Sequence, residues 1–401
     1  MKPKDSKATT KARSPVPASG YSDATRIAVQ ETAARVQEMH QAIAGKSFDV
    51  LTKIPVVSGP ATIAKAIHDA VSGGIYAAIH HGAGGALGAA ALIERHLPER
   101  GQDAPPGRIA SSVRSALNGV FGDHLEQIGN VLAIEMGIYV QGRPVAIESA
   151  ALAATFPKPG MRLCVLIHGL ACDEHCWEPA AADALDFGAR LNADFGFTPL
   201  YLRYNTGLPI DENATRLSAL LERLLTAWPV PVETLLLIGH SMGGLVARQA
   251  CERAVADALA WPEKTGMLAC LGSPHLGAPL ERLGQLANKA LDATRVTAPL
   301  GRIAAARSQG IKDLRHGLRP DPKTTHQIAL RFIGSSLTDD VDHPLAEWLG
   351  DGLVTLGSAT GHPLVGDVES TRLGGIAHMA LTTDARVYAC LQSWLKAIAA
   401  A

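Results

Sequence analysis

Apolar positions recur along this chain with two different periods, and the period changes near residue 137. Before that point Val29, Val36 and Ile43 repeat every seven residues, with Met39 nearby and Arg26, Glu31, Arg35 and Glu38 between them. The spacing predicts an amphipathic helix stopped by Gly45. A second helix start follows Pro60, with Ile63, Ile67 and Val71 on one side, and Ile109, Val113, Leu117 and Val120 repeat the helical pattern. Beyond Gly137 the texture is different. Ile138, Tyr139 and Val140 face Pro144, Val145, Ala146 and Ile147 across Gln141, Gly142 and Arg143, which predicts a short hairpin. Apolar, strand-length runs follow at 163–167, 199–203, 235–238, 267–271 and 328–333, and helix-length segments at 180–193, 212–228 and 244–258 separate the first four. Strand and helix in alternation predict an α/β fold, with a mainly parallel central sheet covered by helices on both faces.

This pattern divides the chain into a disordered tail at 1–22, an N-terminal helical region at 23–135 and an α/β domain at 136–401. Within the last, 279–326 is too long for a tight loop and carries Leu283, Leu286, Ala290 and Leu291 at helical spacing. It reads as an insertion with helical content of its own. The stretch 71–93 has no Asp, Glu, Lys or Arg, but six glycines and the paired His80 and His81 give it a poor transfer energy for a membrane span. A close-packed helix pair is the main reading, and peripheral contact with a lipid surface is the other. The basic first twenty residues lack an apolar segment of the kind a secretory signal needs.

Composition narrows the function classes. The 401 residues carry 37 Lys and Arg against 38 Asp and Glu, so a net charge of −1 provides no field to attract nucleic acid. The six cysteines are scattered, and Cys164 and Cys270 fall in apolar runs, which points to a reduced, cytoplasmic setting. Asp173, Glu174 and His175 lie between Cys172 and Cys176, yet no second ligand cluster at zinc-like spacing accompanies them. An unpaired loop is the reading there, with a local disulfide as a lesser one. No metal and no cofactor are implied.

The chemistry centres on Gly239, His240, Ser241, Met242 and Gly243, directly after the apolar run 235–238 and before a helix-compatible segment. G-x-S-x-G between strand and helix is the setting of a nucleophile elbow. A serine in that tight turn takes backbone angles costly for a residue with a Cβ, and the flanking glycines remove side chains that would collide with the turn. The hydroxyl then needs a base, and the base an orienting acid.

His168, Gly169 and Leu170 end the run 163–167, and Leu271, Gly272, Ser273, Pro274, His275, Leu276 and Gly277 follow 267–270. With the elbow, these segments resemble an α/β-hydrolase of the serine esterase and lipase type. The resemblance covers about residues 137–398 and points to a bacterial branch related to triacylglycerol lipases and PGAP1-like inositol deacylases. It implies a nucleophile, acid, base order along the chain. Of the fifteen histidines, His275, His316, His326, His343, His362 and His378 lie downstream of Ser241. His378, in a loop after the strand-like 368–373 and before a terminal helix, matches the family base, with His362 and His343 as alternatives and His275 as a structural loop residue. Asp351, in Gly350, Asp351, Gly352, Leu353 and Val354, matches the family acid motif, although it lies far beyond the run 328–333. Asp342 is the alternative, and Asp339 and Asp340 read as a solvated loop.

The resemblance further implies an oxyanion hole made by the backbone amides of Leu170 and Met242, with Gly239, Gly243, His168 and Gly169 supporting the elbow and its facing loop, and it places a lid or cap at the insertion 279–326, with a rigid subdomain as the alternative. The expected activity is hydrolysis of carboxylic esters of small molecules or lipids through an acyl-enzyme. An acyltransferase on the same scaffold, or a docking module for lipid surfaces or proteins, are the competing readings.

Overall fold

The computed structural model describes residues 108–127, 129–130, 132–179, 185–278, 308–318, 328–360 and 366–400. The tail 1–22, residues 23–107 of the helical region with the charge-free stretch 71–93, residues 279–307 and 319–327 of the insertion, and His362 lie outside them.

In chain order the elements are α1 (Arg108–Gln127), β1 (Gly137–Val140), β2 (Arg143–Val145), α2 (Ser149–Thr155), β3 (Arg162–Ile167), α3 (Phe187–Phe195), β4 (Phe197–Arg203), α4 (Ile210–Ala227), β5 (Thr234–His240), α5 (Met242–Ala256) and β6 (Thr265–Leu271). Then come α6 (Gln309–Asp313), β7 (Ala329–Ser336), α7 (Ala346–Leu349), α8 (Leu356–Ala359), β8 (Val368–Gly374) and α9 (Ala385–Ala400). The eight strands form one sheet in the order β2-β1-β4-β3-β5-β6-β7-β8. The expected hairpin is its antiparallel edge, since β1 pairs antiparallel with both β2 and β4, and the other pairs are parallel.

The alternation of side chains along each strand explains why two helical layers are needed. On β3, Leu163, Val165 and Ile167 join a core with Leu217, Leu221 and Leu224 of α4 and Leu245, Val246 and Ala250 of α5. Cys164 and Leu166 point the other way, into a core with Phe187 and Leu191 of α3 and Val387, Leu391 and Trp394 of α9. β5 repeats the division, with Leu235 and Leu237 on the first face and Leu236 and Ile238 on the second. A strand apolar at every position is thus read correctly as buried on both faces.

Among the described residues the sequence pattern and the observed elements differ in several places, α2 among them, which no period announced. The segment expected as a helix at 180–193 yields α3 at Phe187–Phe195, because Asp186 caps it by accepting a hydrogen bond from the Ala189 amide at 2.9 Å. Two one-turn helices, α7 and α8, lie between β7 and β8, where the sequence showed no period long enough to reveal them.

The chain enters β3 in the middle of the sheet, adds β4 on one side and β5 on the other. That reversal opens a crevice at the carboxyl ends of β3 and β5, the place where open α/β sheets bind ligands.

Candidate active site

β5 ends at His240 and α5 begins at Met242, so a single residue makes the turn. Ser241 has φ 54° and ψ −123°, a conformation that costs about 1–3 kcal/mol for a residue with a Cβ. Its amide donates to the Leu271 carbonyl at 2.8 Å, and its carbonyl accepts from the Gly244 amide at 3.1 Å. Close approach explains the glycines. A Cβ on Gly243 would run into the carbonyl oxygens of Ile167 and His168, one on Gly239 into the backbone of Gly244, and one on Gly169 would lie 2.9 Å from the Ser241 Cβ. The loop after β3 and the elbow therefore touch backbone to backbone.

That loop is itself a tight turn. The Cys172 amide donates to the Gly169 carbonyl at 3.3 Å, Ala171 has φ 58°, and the Ala171 amide donates to Thr206 Oγ1 at 3.0 Å. Leu170 sits at its crest.

Asp351 and His378 come together from the far side of the sheet. The Leu337 amide, just past β7, donates to the Gly350 carbonyl at 2.7 Å, which closes the excursion 337–350 and returns the chain to the strand end. Asp351 follows at once. Its Oδ2 accepts from His378 Nδ1 at 2.7 Å, and its Oδ1 accepts from the Leu353 and Val354 amides at 2.9 and 2.8 Å. The His378 amide also donates to the Asp351 carbonyl at 3.1 Å. An ionised carboxylate only accepts, so this geometry places the proton on Nδ1 and leaves the Nε2 lone pair free for a proton. Both side chains are buried, with Asp351 2% and His378 5% exposed.

Gly272 packs directly against this pair and was not singled out from sequence. It has φ 58°, and a Cβ there would stand 3.0 Å from Asp351 Oδ2, 3.3 Å from His378 Nδ1 and 2.6 Å from a Leu381 methyl. Gly272→Ala is expected to lower stability by about 1–3 kcal/mol and to reduce ester turnover at least tenfold, measured by urea unfolding and initial rates on the same preparation. Wild-type values for both would show that the pair does not depend on this contact.

A cavity of about 210 Å³ opens between the loops. Ser241 and His378 line it with Gly169, Leu170, Leu353, Val354 and Met379, and among the described residues no Asp, Glu, Lys or Arg takes part. Ile311 and Leu314, from the described stretch 308–318 within the insertion, form one wall. Leu353 and Met379 are exposed at 42% and 47%, and provide an apolar rim.

Three other buried histidines serve the frame. His168 Nδ1 donates to the Gly169 carbonyl at 2.9 Å, its Nε2 accepts from the Tyr204 amide at 3.4 Å, and its ring stacks on Tyr204. His240 Nε2 donates to the His378 carbonyl at 3.0 Å. His275 Nδ1 accepts from Arg248 at 2.9 Å, and its ring meets the edge of Phe332. Burial holds all three neutral. Desolvation pushes His168 down to about 4 and drives His240 and His275 well below the ordinary imidazole value.

This gives an acid-lability window. Above pH 6.5 neither folded nor unfolded His168 binds a proton, and between 6.5 and about 4 only the unfolded chain does, so stability falls as pH falls. All three histidines act in the same direction across that window. The urea midpoint is expected to drop between pH 7 and pH 4.5; a constant midpoint would mean that these imidazoles are not held neutral.

The alternative residues lie elsewhere. Asp339, Asp340 and Asp342 are exposed, and His343 Nδ1 accepts from the Leu345 amide at 3.2 Å in their turn. All six cysteines are free, and among the described residues no group of three or more His, Cys, Asp or Glu is placed to hold a metal ion. Among the described residues no helix is long and apolar enough to cross a membrane.

Residues 209–297, the segment holding the elbow, match the PGAP1-like alpha/beta domain family. No curated protein sequence matches the chain. Among solved structures, the mature lipase BlEst2 of Bacillus licheniformis is 14% identical with a TM-score of 0.41, over 66% of this chain and 98% of that one. The RedJ thioesterase of the prodiginine biosynthetic pathway in Streptomyces coelicolor is 16% identical, TM-score 0.36, over 64% and 97%. An esterase of Pyrococcus furiosus is 14% identical, TM-score 0.35, over 59% and 81%. With its sheet order, its two helical layers and its strand-turn-helix serine, the chain has the α/β-hydrolase fold and resembles the PGAP1-like alpha/beta domain across the segment that carries the elbow.

Proposed function

We propose that this protein hydrolyses carboxylic esters with apolar acyl groups through an acyl-enzyme. The observation that carries the reading is that a strained serine at the carboxyl end of β5 and His378, paired with buried Asp351, line one cavity whose described residues include no charged side chain of Asp, Glu, Lys or Arg.

Ser241 Oγ attacks the ester carbonyl while His378 Nε2 accepts its proton. Asp351 holds the imidazole by Nδ1 and stabilises the imidazolium that forms. The amides of Leu170, at the crest of its turn, and Met242, first residue of α5, donate to the developing oxyanion. The first amides of a helix have no intrahelical acceptor, so Met242 has a donor available. His378 returns the proton to the leaving alcohol, and a water molecule then repeats the attack on the acyl-serine and releases the acid.

The apolar lining favours an alkyl chain over a charged or sugar group. The test is a p-nitrophenyl ester series from acetate to palmitate with wild type and Ser241→Ala, alongside fluorophosphonate labelling and mapping of the modified peptide. A covalent adduct on Ser241 and serine-dependent turnover support the reading, and equal rates from both proteins overturn it. A rise in ester consumption with added alcohol acceptor would assign the chemistry to acyl transfer instead.

A further inference from the structure

Helix α1 precedes the sheet, and neither the sheet nor the Ser241, Asp351 and His378 set includes any residue of it. Nevertheless it lies against the turn that carries Leu170. Ser111 Oγ donates to Asp173 Oδ2 at 2.6 Å and Ser115 Oγ to the same oxygen at 3.4 Å. These serines are 2% and 1% exposed, one helical turn apart, and Asp173 is 4% exposed. The other oxygen of Asp173 accepts from the His175 amide at 3.1 Å and caps the short helical turn Glu174–Trp177.

One further turn along α1, the helix backbone meets the oxyanion turn directly. A Cβ on Gly119 would lie 2.7 Å from the Ala171 Cβ, so only glycine lets the helix approach the residue after Leu170 this closely. The Gly119 carbonyl accepts from Ser308 Oγ at 2.5 Å, and Asp123 accepts from the Gln309 amide at 2.9 Å, which ties the start of the cavity-wall helix α6 to the same face. On the opposite side of the loop, Arg203 of β4 grips Glu174 through Nε–Oε2 at 2.6 Å and a second guanidinium bond. The loop from Gly169 to Trp177 is thus held from both sides, by α1 and by β4.

We propose that α1 is a positioning element of the catalytic site, which acts through Ser111, Ser115 and Asp173 to fix the Leu170 amide in its oxyanion-binding orientation. This rests on the reading of Leu170 as an oxyanion donor. An oxyanion donor must be set within a fraction of an ångström, and a misplacement of about 1 Å costs on the order of 100-fold in rate. Removing the two hydroxyls leaves a buried carboxylate without its α1 partners and loosens one of the two holds α1 has on the turn, the Gly119–Ala171 contact being the other.

The experiment uses the full chain as wild type, S111A, S111A/S115A and S241A. For each, kcat and KM are measured on p-nitrophenyl butyrate, with affinity for an alkyl boronic acid and amide hydrogen exchange of the peptide spanning residues 169–173. The double variant is expected to lose about 10- to 100-fold in kcat with KM within about threefold. Boronate affinity should fall in step with kcat/KM, exchange at the turn should speed up, and S111A should fall between it and wild type. A kcat loss without change in boronate affinity or turn exchange would make the serines merely structural and overturn the proposal, as would an unchanged kcat. S111A carries the same comparison if the double variant does not fold. If wild type and S241A turn over the ester alike, the hydrolase reading itself fails and this proposal with it, an outcome that the S241A arm separates from the others.

Discussion

Ser241→Ala is expected to lower kcat on a p-nitrophenyl ester by roughly 10⁴- to 10⁶-fold, because the hydroxyl proposed to form the acyl-enzyme is gone while the proposed oxyanion donors and the cavity remain. Stability should hardly move, within about 0.5 kcal/mol, since alanine keeps a Cβ and therefore the same backbone strain at φ 54°. Ser241→Gly separates the two effects. Glycine adopts this conformation freely, so the variant is expected to be as inactive as Ser241→Ala and yet more stable than wild type by about 1 kcal/mol, after the entropy of the more flexible unfolded chain is set against the relieved strain. Rates and urea unfolding on the three proteins check both halves. A glycine variant less stable than alanine would mean that the elbow is not strained.

The strain is tolerable because the surroundings determine it completely. Ser241 is fixed by β5 behind it, α5 ahead of it, and the hydrogen bond from its amide to Leu271. The side chains of β5 between Leu235 and Ile238 are buried in the two cores at 0–1% exposure, each contributing about 1.5–3 kcal/mol by burial. A 1–3 kcal/mol distortion at one residue is small against that anchorage.

The parts of the fold legible in the sequence were those written as period or as motif. The apolar runs at 163–167, 235–238 and 267–271 gave the central strands, since a parallel strand buried on both faces has no polar positions to interrupt it. The elbow was legible because G-x-S-x-G carries a steric demand, and the structure shows what each glycine avoids. Asp351 was harder to place. It lies fifteen residues beyond Ser336, the last residue of β7, and it returns to the strand end through tertiary contacts such as the backbone hydrogen bond from Leu337 to Gly350, which no sequence pattern announces. The same holds for α1. Its helical period was plain, but its contact with the Leu170 turn is made by Ser111, Ser115 and Gly119, small residues that in a linear reading look like ordinary helix positions. Gly272 escaped notice for a related reason, because its neighbours Asp351 and His378 approach it only through tertiary structure.

Asp351→Asn is the substitution that tests the proton inventory of the site, and its expected effect is a loss of about 10⁴-fold in kcat with little change in fold. One side-chain oxygen of Asp351 accepts from the Leu353 and Val354 amides, and an asparagine oxygen can take over both bonds. The asparagine is therefore anchored in one orientation, with its NH₂ turned toward His378 Nδ1, where the aspartate presents Oδ2 at 2.7 Å. An NH₂ group donates, so His378 must accept at Nδ1 and carry its proton on Nε2. That is the tautomer that cannot receive a proton from Ser241, and the imidazolium also loses the carboxylate that stabilises it. Urea unfolding should differ little from wild type, whereas Asp351→Ala, which leaves two amides and an imidazole without their buried partner, should be less stable as well as inactive. Rates, unfolding curves and the ¹⁵N shifts of the His378 ring measured together distinguish these cases. Near-normal turnover by Asp351→Asn would transfer the orienting role to another group and dissolve the triad assignment, even if Ser241 remained essential.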